Sequence, residues 1–160
     1  MPRLAGKRVD PYIYALTALG RRELTSAQLA DRLTRRGYDP TTIEQVLVRL
    51  RTEGALDDRR AAAAAVRTAV EIKRHGRWRV RQELDRLGVD REIAAEVVEE
   101  VLGAINETEL IERALSARLR GPIADRRHFD RLYRYLIRRG FASDQALLAL
   151  RRRGGDLIDD

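Results

Sequence analysis

One short pattern occurs three times along this chain at nearly equal spacing. Leu33-Thr34-Arg35-Arg36-Gly37-Tyr38 aligns with Leu84-Asp85-Arg86-Leu87-Gly88-Val89 and with Leu136-Ile137-Arg138-Arg139-Gly140-Phe141. The glycines are 51 and 52 residues apart. Eight residues before each stands Leu29, Val80 or Leu132, and nine after each stands Val46, Val97 or Ala149. A period of this length marks a supersecondary unit that buries its apolar face only by stacking on its neighbours.

The units are helical. Tyr12, Ala15, Leu16 and Leu19 recur at i, i+3, i+4 and i+7, and so do Ile43, Val46, Leu47 and Leu50. No stretch has the strand alternation of β-branched residues between turns. Gly37, Gly54, Gly76, Gly88, Gly103, Gly121, Gly140 and Gly154 fall between periodic segments, where a left-handed residue closes a helix. Thr25 with Gln28 and Asn106 with Glu109 have capping-box or related spacing, and Asp39-Pro40, Asp90, Asp125 and Ser143 supply further caps. These marks predict nine helices, at about 11–22, 26–36, 40–53, 58–75, 77–87, 91–102, 107–120, 126–139 and 144–153. The expected fold is all-α, an elongated array of three tandem three-helix repeats at 11–54, 55–103 and 106–153. Flexible tails are expected at 1–10 and 154–160.

Charge is banded along the chain. Residues 59–81 carry net +7, residues 82–112 net −8 and residues 113–153 net +9, within a total of +7. Banding of this kind favours a polyanion or a charged protein groove as partner. Thirty of the 32 basic residues are arginine, whose planar fork suits phosphate and carboxylate; GC-rich coding would give the same bias.

The same composition leaves little room for catalysis. Cysteine is absent, which removes disulfides, thiolate metal sites and a Cys nucleophile. His75 and His128 each lie beside arginines with no carboxylate or second His at ligand spacing, and read as exposed, solvated side chains. Ser26, Ser116 and Ser143 stand outside any nucleophile elbow, and the glycines form no phosphate loop. The acidic residues of 82–112 have the spacing of a wet helix face rather than of a cation site. The expectation is a non-enzyme without cofactor or metal. With neither an apolar leader behind its N-terminal basic residues nor a run of membrane length, it reads as a cytoplasmic monomer.

Binding has better candidates. Lys73, Arg74, Arg77, Arg79 and Arg81 crowd around Gly76 and Trp78, the only tryptophan. Arginines grouped with an aromatic at a helix start grip phosphate and stack on bases; the other reading makes Trp78 a packing residue between repeats. Arg126, Arg127, Arg131, Arg134 and Arg138 form a basic face on one helix, opposite Phe129, Leu132, Tyr133, Leu136 and Ile137. A solvated face is the alternative there. Arg151-Arg152-Arg153 reads as a frayed end compensating the helix dipole, and Ala61–Ala65 as a helix-favouring surface.

Taken in order, these motifs resemble a known family. Arg21-Arg22-Glu23-Leu24-Thr25-Ser26-Ala27-Gln28-Leu29, with Leu33-Thr34-Arg35-Arg36-Gly37-Tyr38-Asp39, is similar to the first repeat of the bacterial regulatory RecX family, and so is Glu53-Gly54-Ala55-Leu56-Asp57-Asp58-Arg59-Arg60. Gly76-Arg77-Trp78-Arg79-Val80-Arg81-Gln82-Glu83-Leu84-Asp85-Arg86-Leu87-Gly88-Val89 resembles the central signature, and Arg134-Tyr135-Leu136-Ile137-Arg138-Arg139-Gly140-Phe141 the third repeat. Two positions depart from the pattern: Ala61 stands where the family often has an aromatic, and Trp78 where it often has Pro. The resemblance implies a curved helical array that binds the RecA–single-stranded DNA filament in its groove and suppresses its ATPase and strand exchange. The competing expectation is a helix-turn-helix-like transcriptional regulator that binds duplex DNA directly.

Overall fold

The structure, a computed structural model, describes residues 9–154. Among them are nine helices and no strand: α1 (Pro11–Arg21), α2 (Ser26–Arg35), α3 (Pro40–Thr52), α4 (Asp58–Glu71), α5 (Arg77–Arg86), α6 (Arg91–Leu102), α7 (Glu107–Ser116), α8 (Arg126–Arg138) and α9 (Ser143–Gly154). Of the expected tails, only Val9, Asp10 and Gly154 fall within the described residues.

Side-chain caps start most of the helices. Thr25 and Gln28 form a complete capping box, while Asp39, Asp90, Asn106 and Asp125 each accept a backbone N–H of the first turn. Asp10 and Asp57 do the same for α1 and α4, two caps the sequence reading did not single out. Ser143 is not a cap. It is the first residue of α9, and its hydroxyl meets that of Tyr133 at 2.8 Å. Only four of the eight punctuating glycines take the left-handed region: Gly37, Gly54, Gly88 and Gly140. Gly76 has φ −79° as the N-cap of α5, and Gly103 stays right-handed at φ −57°.

Apolar burial divides the chain unevenly. Helices α1–α3 enclose a core of their own around Leu24, Leu29, Leu33 and Leu50, all with no exposed surface. Helices α4–α9 share a second, continuous core in which Val66, Val97, Ile111, Leu115, Leu136 and Leu150 are fully buried. Each such side chain contributes about 1.5–3 kcal/mol. The residues that align between repeats are buried together: Leu29, Val80 and Leu132 before the glycines, Val46, Val97 and Ala149 after them.

Successive repeats meet through the same kind of joint. The turn closing the second helix of one repeat sits on the N-terminus of the second helix of the repeat before it. At the first joint Thr25 Oγ1 donates to the Leu87 carbonyl at 2.6 Å, and a Cβ on Gly88 would lie 2.4 Å from the Ala27 Cβ. At the second, the Gly76 N–H donates to the Arg139 carbonyl at 2.7 Å, and a Cβ on Gly140 would lie 2.6 Å from the Arg79 nitrogen. Close backbone approach, as much as left-handed φ, is why glycine recurs there. In the third group α8 has 13 residues where α2 and α5 have 10.

Candidate binding surface

The arginines around Gly76 have different fates. Arg77 is half-buried, and its guanidinium donates to the carbonyls of Leu102 and Ile105, each at 2.5 Å, with Glu107 at 3.9 Å. It therefore caps the C-terminal end of α6, where carbonyls have no intrahelical donor. Burial raises the Glu107 carboxyl above its ordinary value, against the opposing charge of Arg77. Arg79 packs against Gly140, and its buried Nε has no hydrogen-bond partner. Lys73 pairs with Glu83 at 2.6 Å, and Arg74 occupies a left-handed backbone position with φ 57°. Of Arg77, Arg79 and Arg81, which open α5, only Arg81 is exposed, and no carboxylate among the described residues lies within ion-pair distance of it. Two of the three hold the joint together.

His75 corrects the histidine reading. It is buried, with only 9% of its surface exposed, and its Nδ1 lies 3.2 Å from the Glu83 carboxylate. Burial pushes the imidazole pKa down despite the favourable carboxylate. Burial alone would raise Glu83, but hydrogen bonds from Lys73 and His75 overcome it and hold that carboxyl low. Arg139, not singled out from the sequence, completes the joint by donating to the Lys73 carbonyl and lying 5.1 Å from the Tyr135 ring centre.

Trp78 does not pack between the repeats. It is 58% exposed on α5, beside a hollow of about 540 Å³ walled by Arg81, Ile137 and Phe141. Ile137 is 37% exposed, so it faces this hollow rather than the core opposite the basic face. The alanine run also changes place: Ala61 and Ala62 are buried, and Ala61, Ala64 and Ala65 floor a second hollow of about 430 Å³ between the first two repeats.

On α8 the basic face is intact. Arg126 is drawn to Asp130 at 3.4 Å and to the Phe129 ring. Arg127, Arg131, Arg134 and Arg138 are exposed, and among the described residues no carboxylate lies within ion-pair distance of them. At i, i+4, i+7 and i+11 they make one stripe about 16 Å long. The other charge bands partly cancel in space. Arg59 on α4 pairs with Glu96 and Glu100 on α6, and Arg153 with Glu112 on α7, so the final basic run does not hang free. No group of three or more His, Asp or Glu among the described residues is placed to hold a metal ion. Nor is any helix among them long and apolar enough to cross a membrane.

The model of the first three-helix domain of RecX matches residues 12–50, and that of the second matches residues 57–98. The chain is also 40% identical over 139 residues to the regulatory protein RecX of Halorhodospira halophila, across 84% of this chain and 83% of that one. The chain belongs to the RecX family. Identity to RecX of Leptothrix cholodnii is 38% over 140 residues, covering 86% of this chain and 85% of the relative. The crystal structure of RecX from Lactobacillus salivarius shares the fold at TM-score 0.70, covering 89% of this chain and 93% of that one at 19% identity. The all-α fold is thus that of RecX proteins, and the motif order had pointed to it.

Proposed function

We propose that this RecX-family chain binds the RecA–single-stranded DNA filament and inhibits its ATPase and strand exchange. The observation that carries this reading is the stripe of Arg127, Arg131, Arg134 and Arg138, four cations on one face of α8 with no carboxylate partner among the described residues. An uncompensated stripe of one sign is what a polyanionic filament attracts. The chain acts as a cytoplasmic monomer, by occupancy and charge, with no turnover of its own. The neighbouring repeat supports this: Arg59 of α4 is answered by Glu96 and Glu100 of α6, which removes positive charge from that face.

The test is the ATPase rate of RecA on single-stranded DNA as the protein is titrated in. Inhibition is expected at equimolar or lower ratios, with no hydrolysis by the chain alone. An unchanged rate removes the proposal. Tight sequence-selective binding of duplex DNA without RecA supports the helix-turn-helix regulator instead.

A further inference from the structure

The hollow between the second and third repeats joins three features that the fold does not require. Trp78 leaves 58% of its surface in water although it starts an amphipathic helix whose Val80 and Leu84 are buried. Arg81 stands one turn further along α5, on the same face and exposed, and no carboxylate among the described residues lies within ion-pair distance of it. Ile137 and Phe141 give the hollow an apolar wall, and the carboxylate on its rim, Glu107, is already answered by Arg77. The stripe of α8 arginines ends at Arg138, the residue after Ile137.

We propose that this hollow takes a nucleobase of single-stranded DNA, stacked on the Trp78 indole, with the adjoining phosphate on Arg81. A protein side chain would satisfy the indole equally well. It would not account for a stripe of one sign on the helix whose Ile137 walls the hollow. Basic side chains beside an exposed aromatic platform are how single strands are held, with the backbone followed by charge and the bases by π-faces. Stacking is indifferent to base identity, so the site reads single-strandedness and not sequence. This rests on the filament reading, which supplies the single strand as partner, and assigns the contact to particular side chains.

Trp78 is the chain's only tryptophan, so its fluorescence reports this site alone. The experiment titrates the full chain with oligothymidylate, following tryptophan emission and, in parallel, the anisotropy of a labelled oligonucleotide. Quenching that saturates in step with the anisotropy is expected. Trp78→Ala should weaken binding about tenfold or more, with thermal stability unchanged because the ring is exposed. Arg81→Gln should lower the slope of log K against log salt by about 0.7. The proposal is overturned if wild type does not bind the oligonucleotide, if binding leaves the emission unchanged, or if Trp78→Ala binds as tightly as wild type. Quenching by RecA alone, without DNA, also overturns it and makes the hollow a protein contact. Inhibition of the RecA ATPase by wild type is read separately, so the filament reading stands or falls on its own result.

Discussion

Replacing Gly140 by alanine tests whether the repeats are joined by close backbone contact. Two costs arise at that position, and they can be separated. Gly140 has φ +86°, a conformation that costs an L-residue about 1–2 kcal/mol. In addition, its new Cβ would lie 2.5 Å from the Arg79 Cβ and 2.6 Å from the Arg79 backbone nitrogen. Those atoms belong to the first turn of α5 and move only if the helix moves, so overpacking adds about 1–3 kcal/mol. Gly54 is the control. It has φ +74°, yet a Cβ there meets nothing within 4 Å, so Gly54→Ala carries the backbone cost alone. For a chain of this length each kcal/mol lowers Tm by about 2–4 °C. Thermal unfolding should therefore show Gly54→Ala losing a few degrees and Gly140→Ala losing at least ~2 °C more. Equal losses for the two variants would refute the steric argument and reduce both glycines to turn formers.

Arg77→Ala removes a charged donor from two carbonyls and leaves Glu107 half-buried, so denaturant unfolding should show a loss of about 1.5–3 kcal/mol with the salt dependence of DNA binding unchanged. A changed salt slope would return Arg77 to the binding face. The buried histidine sets a pH dependence. The folded state holds the His75 pKa below that of the unfolded chain, so folding disfavours the proton, and stability is full above about pH 6.5 and falls as pH drops through it. Glu83 adds a second loss at lower pH, since its folded pKa is also depressed. His75→Gln should flatten the loss between pH 7 and 5 and leave the more acidic one; an unaltered profile would show that His75 does not drive it.

The helices and their order were legible because each is specified locally. Thr25 with Gln28, Asp39 before Pro40 and Leu29 eight residues ahead of Gly37 are all patterns within one turn or two. The joints were not legible in detail. Gly76 and Gly88 look alike as punctuation, yet Gly88 is left-handed and Gly76 is an extended N-cap chosen for proximity to the Gly140 carbonyl. That difference comes from a residue 64 positions away. The same holds for side chains: nothing local distinguishes Arg77, which reaches the end of α6, from Arg81, which reaches water.

Charge shows where a one-dimensional reading stops and what restores it. Along the chain, the net +7 of residues 59–81 and the net −8 of residues 82–112 read as two exposed bands of opposite sign. In space, α4 lies against α6, and the boundary becomes a seam: Arg59 meets Glu96 and Glu100, Lys73 meets Glu83 and Arg77 meets Glu107. Exposed pairs like the first contribute at most about 1 kcal/mol to stability, so their main effect is to remove field from that face. The net +9 of residues 113–153 meets that acidic band only at Arg113, which pairs with Glu109, and at Arg153, which pairs with Glu112. Only Asp125, Asp130 and Asp144 are acidic in that stretch; Asp125 caps α8 and Asp130 pairs with Arg126. Helix α8 therefore keeps its positive stripe whatever the neighbouring bands do. The stripe is thus a property of α8 and its own neighbours, not of the whole-chain charge.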